Sequence, residues 1–423
     1  MSGFLKEPEF ASQRNLKRLI LIIALIAVVL RLLAIWIRSA DIEQNAFEFG
    51  RIAENIIAGN GFSYDFWGRY PLALTSWMAP LYPYILAGYY TLFGHNLLGM
   101  AVIQAILGGV VCWVLGLIGV RISSGFVGVT AAAICAIYPE SIFHPQKFVS
   151  EPWLLVFEVL FVLCGANYIW SGKSKYLILA GILSGLAVLC KESALLLPIA
   201  LIVWVGLKKG LKGKTMLKAL IPLALTVVII APWTVRNYIV FDKFIPVRTN
   251  FWFNVWRGVN PHATGTPRGF DKLVIEKSMA SEYLSSVDSR LHNNEIQREG
   301  VYREFALRHI KDDPLRYLGL SLRRLVYFWS VDPTHPLTGH PLYWLPWLGL
   351  LILAGLGVFA MRVSWQDYSL WYLLFFVTTV VFSLTLVLPR YRIPLQPGLM
   401  LLAAEGIRWI TRRWFTSDHY IRK

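Results

Sequence analysis

Runs of almost unbroken apolar residues, each closed by a short polar or basic interval, recur along nearly the whole chain. The first covers Leu19 to Ile37 and reads as a retained span, because it is too long for a signal-peptide core and no small-residue cleavage site follows it. Leu81 to Phe93 is apolar but short and is interrupted by Pro83 and Gly88, which predicts a re-entrant or juxtamembrane helix. Further spans are expected at Leu97 to Val120, Phe126 to Tyr138, Trp153 to Trp170, Tyr176 to Leu189, Ala194 to Leu207 and Met216 to Trp233. Leu342 to Ala360, Leu370 to Leu388 and Leu395 to Ile410 complete about ten crossings. The pattern therefore predicts an all-α integral membrane protein.

Two polar intervals interrupt this rhythm. The first, from Arg38 to Pro83, gathers Asp41, Glu43, Glu48 and Glu54, then turn-forming Gly59, Gly61 and Gly68, with Trp67, Trp77, Tyr82 and Tyr84 suited to a membrane interface. Asn45 and Glu48 stand three residues apart, as a helix-capping box requires. The second interval spans roughly 235–340. Ile296, Val301, Phe305 and Ile310 give Asn293 to Ile310 helical spacing, and Asp313-Pro314 ends it. Leu315 to Trp329 reads as a second amphipathic helix lying on a membrane surface, with Arg323 and Arg324 beside Leu, Tyr and Trp. Three parts follow: an N-terminal membrane module, 1–234; an external segment, 235–340; and a C-terminal membrane module with a basic tail, 341–423.

Charge orients this scheme. Lys6, Arg14, Lys17 and Arg18 precede the first span, and Arg121, Lys173, Lys175, Lys208, Lys209, Lys212 and Lys214 fall in alternate turns. The positive-inside rule then puts both termini in the cytoplasm and the polar intervals on the periplasmic or exterior face of a cell inner (plasma) membrane. The net charge of +16 is spread between the spans, so it reads as a topology signal with no nucleic acid partner. Cys112, Cys135, Cys164 and Cys190 lie within apolar runs and read as small core hydrophobes, without disulfides or zinc. His144, His262, His292, His309, His335 and His340 lack metal-like spacing and read as surface or hydrogen-bonding residues. No phosphate-binding G-x-x-x-x-G-K-[ST] loop and no G-x-G-x-x-G after a strand occur, which weighs against a nucleotide-driven pump.

With this topology one face collects charges of both signs: the first-interval acids, Glu140, Glu151, Lys191 with Glu192, Arg236, Arg390 and Arg392. Ionisable groups near a membrane are costly, so their gathering points to a function. Arginines there suit a lipid phosphate, whose oxygens a guanidinium binds in pairs. The plainer alternative for Lys191 is a pair with Glu192 or a snorkelling helix end.

The segments IAENIIAGNGFS, APLYPYILAGYYTLFGHN, YPESIFHPQKFVSEP, GILSGLAVLCKES, APWTVRNYIVFDKFIP and PRYRIPLQP, in that order, resemble the GT-C glycosyltransferases. The likeness is to bacterial relatives of protein O-mannosyltransferases and of the lipid A aminoarabinose transferase. It implies a GT-C-like fold and transfer of a sugar from a polyprenyl-phosphate donor to a periplasmic acceptor (protein, lipid or glycan), with inversion; no cofactor is expected, and nothing in the sequence requires a metal, although some GT-C enzymes use one. By the same resemblance Lys191, Arg236, Arg390 and Arg392, with Glu151 beside them, would bind substrate and lipid phosphate, and an early acid would be the general base. Where the family carries an Asp this chain has Asn45 or Ala46, neither a base. Glu48 ranks first as its replacement, then Glu43 and Asp41. A transporter or scramblase of lipid-linked sugar, or a non-catalytic assembly partner, is the alternative function.

Overall fold

The structure is a computed structural model that describes residues 13–39, 42, 46–66, 68–210, 213–274, 294–362 and 364–421, with no account of the side chains of 415–421. Among these, almost everything is helical, and the single sheet is a two-stranded antiparallel ribbon, Ser63–Tyr64 with Ala73–Leu74. Six helices are long and apolar enough to cross a membrane: α1 (Gln13–Ile37), α4 (Leu97–Ile122), α7 (Glu151–Ser171), the stretch Gly213–Phe241 that joins α10 (Gly213–Ala219) to α11 (Ile221–Phe241), α15 (Pro341–Ala360), and Trp365–Leu384, which contains α16 (Ser369–Leu384). A seventh is formed if α5 (Gly125–Ile137) and the bent stretch Pro139–Gln146, including α6 (Pro139–Phe143), count as one span broken by 59°. Leu21, Leu25, Ile26, Val29 and Leu33 of α1 stay exposed, as expected of a helix that faces lipid. The molecule is a multi-pass membrane protein.

The sequence count of ten included runs that fold as shorter helices. The chain between α7 and α10 holds α8 (Lys175–Cys190, 16 residues) and α9 (Leu196–Lys209, 14 residues), and at about 1.5 Å per residue neither reaches across a ~30 Å core alone. α3 (Leu81–Phe93) is the short helix that Pro83 and Gly88 announced. The residues read as a loop after α5 form α6 instead. α11 runs through residue 234, so the N-terminal module and the following segment share one helix.

Local rules explain most boundaries. In α2 (Phe47–Ile57), Phe49, Ile52 and Ala53 are buried at helical spacing, and Gly59 (φ +81) takes the left-handed turn that ends the helix. Asn96 caps α4 by accepting from the Leu98 N–H at 3.0 Å. After α12 (Phe251–Val259), α13 (Glu295–Asp312) and α14 (Pro314–Trp329) meet at the Asp313-Pro314 break, where Asp313 caps α14 through the Arg316 N–H at 2.9 Å. The last helix is α17 (Gln396–Ile421).

Packing corrects one expectation about α14. Arg324 is fully buried, its Nε donating to the Ser383 carbonyl (2.7 Å), its Nη1 to the Gly258 carbonyl (2.7 Å) and its Nη2 to Ser321 Oγ (3.0 Å). That face of α14 clamps α12 and α16 and is not a surface for lipid head groups. Cys112, Cys135 and Cys190 are buried in the main core.

α15 and α17 approach very closely. A Cβ on Gly357 would stand 1.8 Å from the Leu402 carbonyl oxygen, whereas one on Gly355 would meet nothing within 4 Å. Gly357→Ala is expected to destabilise the bundle by about 1–3 kcal/mol while Gly355→Ala leaves it unchanged, as read by thermal unfolding in detergent micelles.

Outside the spans, the buried Glu299 of α13 accepts the N–H groups of Trp252 (2.8 Å) and Phe253 (3.2 Å) and so ties down the start of α12. Burial pushes its pKa from the ordinary 4.5 up to about 7, against the lowering effect of those two N–H groups. Because the folded value is the higher one, this stabilising term is complete below about 4.5 and is lost as pH rises through about 7. Amide-exchange protection of α12 and α13, corrected for intrinsic rates, should be greater at pH 5 than at pH 8. Glu299→Gln should flatten that difference.

Candidate active site

Three breaks in the helical bundle open onto one cavity of about 1100 Å³. The first is the bend after α5, which brings Glu140 and His144 to the wall. The second is the extended residue Lys191 (φ −160°, ψ 123°) at the end of α8. The third is the 3-10 turn Pro389–Leu395 between α16 and α17, which carries Arg390, Tyr391 and Arg392. Breaking a helix frees backbone groups, and within a membrane protein this is tolerated where the freed chain lines a polar cavity.

The first polar interval covers another side. The N-cap of α2 is Ala46, which makes no side-chain cap bond, so the Asn45 capping box is not the one that starts this helix. Asn45, Asp41 and Glu43 lie outside the described residues. Phe47 has φ +49°, uncommon for a bulky residue, directly before the half-buried Glu48 on the cavity wall. Glu48 makes no hydrogen bond or ion pair among the described residues, but its charge acts on Arg390 and on Tyr64.

Arg390 has the open position. Its surface is accessible to cavity water although protein surrounds it on nearly every side. Burial works against its charge, yet Glu151, Tyr391 and Glu48 outweigh that and hold its pKa above the ordinary guanidinium value. Beneath it, Lys191 Nζ donates to Glu151 Oε1 at 3.0 Å and lies 4.9 Å from the centre of the Tyr391 ring. Both members of that pair are buried, at 7 % and 3 % exposure. The sequence offered Glu192 as the partner of Lys191; Glu192 bonds Arg248 instead. Arg392 lies 4.7 Å above the Trp347 ring and donates to the Tyr327 carbonyl.

Glu48, Glu151, Lys191, Arg390 and Arg392 therefore share this cavity, and Arg236 does not line it. Arg236 donates to the carbonyls of Thr75 (2.7 Å) and Phe62 (3.1 Å), and neighbouring Asn237 donates to the Ile245 carbonyl (3.0 Å). The PWTVRN motif thus braces the first polar interval against the chain after α11. Glu295 adds to the brace by accepting from Thr75, Thr249 and the Ser76 N–H. Lys147, Arg268, Asp332, His335 and Tyr343 also face the cavity. Lys147 belongs to the YPESIFHPQKFVSEP segment, whereas no motif quoted from the sequence contains the other four; only tertiary packing brings them together. Among the described residues no group of three or more His, Cys, Asp or Glu is arranged to hold a metal ion.

This bundle of broken helices around a charged cavity resembles known proteins in fold and, over part of its length, in sequence. The family model of dolichyl-phosphate-mannose-protein mannosyltransferases matches residues 78–235. The oligosaccharyltransferase of Archaeoglobus fulgidus superposes with a TM-score of 0.58 at 17% identity, over 97% of this chain and 52% of that one. A complex of the same archaeal enzyme, AglB, with an inhibitory peptide and dolichol-phosphate gives 0.57 at 16% identity, over 95% and 51%. ArnT from Cupriavidus metallidurans bound to undecaprenyl phosphate gives 0.50 at 14% identity, over 94% and 61%. The chain thus spans about half to three-fifths of the length of these structures, and at such identities the likeness is one of fold. No curated protein sequence matches the chain.

Proposed function

We propose that this protein transfers a sugar from a polyprenyl-phosphate donor to an acceptor hydroxyl, with inversion at the anomeric carbon, from a cavity on the periplasmic face of the inner membrane. The observation that carries this reading is the pairing across one cavity of an acid without a hydrogen-bond partner among the described residues, Glu48, with a solvent-open cation, Arg390. The acceptor oxygen attacks the anomeric carbon as the bond from that carbon to the phosphate oxygen breaks. Glu48 takes the hydroxyl proton, and the electron pair leaves with the lipid phosphate. Arg390 meets the growing phosphate charge, a form of stabilisation that matters most in the transition state. Lys191 is held by Glu151 at the adjoining wall and adds positive potential there. Glu43 and Asp41 stay as alternative bases. The support from relatives is that their structures hold dolichol-phosphate or undecaprenyl phosphate.

The test is incubation of the purified protein in nanodiscs with a panel of polyprenyl-phosphate sugars and membrane acceptors, following product by mass spectrometry. Turnover that disappears in Arg390→Gln supports the reading. Absence of turnover across the panel, together with protein-dependent flipping of labelled lipid in liposomes, would replace it with transport.

A further inference from the structure

The cavity holds more positive charge than one lipid phosphate requires. Eight Lys and Arg residues line it against four Asp and Glu. Arg390 and Lys191 belong to the side that Glu48 and Glu151 face. A separate set stands around the start of α15. There Tyr343 and Trp347 are one helical turn apart, so they project from the same face about 5–6 Å from each other. Each carries a flat polar group: the His335 ring stacks on Tyr343 with centroids 4.5 Å apart and planes within 6°, and the Arg392 guanidinium lies 4.7 Å over Trp347.

Several donors of this set are unengaged. His335 Nδ1 accepts the Leu337 N–H at 3.2 Å, which leaves the ring proton on Nε2, the other nitrogen of a cavity-lining ring. Burial first, then the charges of Lys147, Arg268 and Arg392, hold the His335 pKa down to about 4 against the pull of Asp332, so the ring is a neutral donor at neutral pH. Arg392 is 6 % exposed, and its Nε has no hydrogen-bond partner. Lys147 is exposed and its ammonium group makes no hydrogen bond among the described residues, while Arg268 uses Nη1 on the Lys272 carbonyl at 2.8 Å. The nearby acids are each engaged through one oxygen: Asp332 Oδ1 accepts from the Thr334 N–H (2.9 Å) and hydroxyl (2.6 Å), and Glu140 accepts from Gln396.

We infer that Lys147, Arg268, His335 and Arg392 form a second anion subsite, which takes a phosphate or carboxylate carried by the sugar acceptor. His335 Nε2–H and the Arg392 guanidinium, held on aromatic rings one helical turn apart, bridge the oxygens of a single tetrahedral or planar anion, and Lys147 and Arg268 supply the remaining charge. A cavity of about 1100 Å³ accommodates this group alongside the donor head group, since sites for one drug-sized ligand occupy roughly 300–1,000 Å³. The inference rests on the glycosyltransferase reading and names the class of its second substrate.

The test uses the full chain in nanodiscs, with glucose 6-phosphate and glucose as paired probes, in the presence and absence of saturating undecaprenyl phosphate. With the lipid phosphate bound, glucose 6-phosphate should bind about tenfold or more tightly than glucose by calorimetry. Lys147→Gln should remove that preference and Lys147→Arg should restore it; the Lys147 side chain is exposed and makes no hydrogen bond among the described residues, so neither change disturbs the fold. His335→Phe keeps the stack on Tyr343 and should weaken glucose 6-phosphate alone. Equal binding of the two sugars, or preference unaffected by both Lys147→Gln and His335→Phe, overturns the subsite. Failure of undecaprenyl phosphate to bind strikes the glycosyltransferase reading instead and leaves the glucose 6-phosphate comparison intact. Displacement of glucose 6-phosphate by a glycosylated lipid phosphate but not by undecaprenyl phosphate would assign the anion to the donated sugar and overturn its placement on the acceptor.

Discussion

Glu48→Gln is expected to lower sugar transfer by about 10²–10⁴-fold, the range for loss of a general base, while the protein still binds undecaprenyl phosphate and still folds. Binding survives because the phosphate-facing cations are untouched. Stability survives because the Glu48 side chain has no hydrogen bond or ion pair among the described residues to lose, only a longer-range attraction to Arg390 and the favourable position of a carboxylate in the first turn of α2. That position is worth about 0.3–1 kcal/mol at an exposed helix end. Single-turnover kinetics with a preformed donor complex separate the chemical step from binding. Full activity in Glu48→Gln, with loss in Glu43→Gln or Asp41→Asn, would move the base into the preceding residues. Loss of lipid-phosphate binding in Glu48→Gln would give the residue a structural part in the donor site.

How far the sequence disclosed this arrangement depends on the distance over which each feature is decided. α1, α4, α7 and α15 were legible because long apolar runs have one stable outcome in lipid, and the Asp313-Pro314 break was legible because capping chemistry is local. The shorter α8 and α9 were read as spans because apolar composition does not reveal that the helix breaks and the chain turns after the 16 residues of α8. The same turn places Lys191 in the cavity. Arg236 and Arg324 illustrate the opposite failure: each is an arginine near the expected membrane surface, yet each spends its N–H groups on backbone carbonyls from distant segments. Sequence shows the cation but not the carbonyls that use it. The meeting of His335 with Arg392 was similarly hidden, since it depends on the Tyr343–Trp347 spacing of a third element.

Lys191→Met separates holding the fold from holding the substrate. It removes the hydrogen-bonded counter-charge of Glu151, which is buried at 3 % exposure, and a carboxylate left in that state costs about 3–5 kcal/mol. A large fall in the thermal unfolding midpoint is therefore expected, and the double variant Lys191→Met with Glu151→Gln should regain most of it by removing the orphaned charge. Arg390 supplies the competing outcome, because it already feels the Glu151 charge across the cavity. If it moves onto Glu151 in the single variant, the stability loss shrinks and undecaprenyl phosphate binding weakens instead. The two measurements must therefore trade against one another. A variant that retains both stability and lipid-phosphate affinity would show that neither Lys191 nor its partner sustains the site. In the double variant the fold returns but Lys191's positive potential does not. Transfer should stay depressed there even when the unfolding midpoint matches that of the wild type, and recovery of full transfer would confine the Lys191–Glu151 pair to architecture.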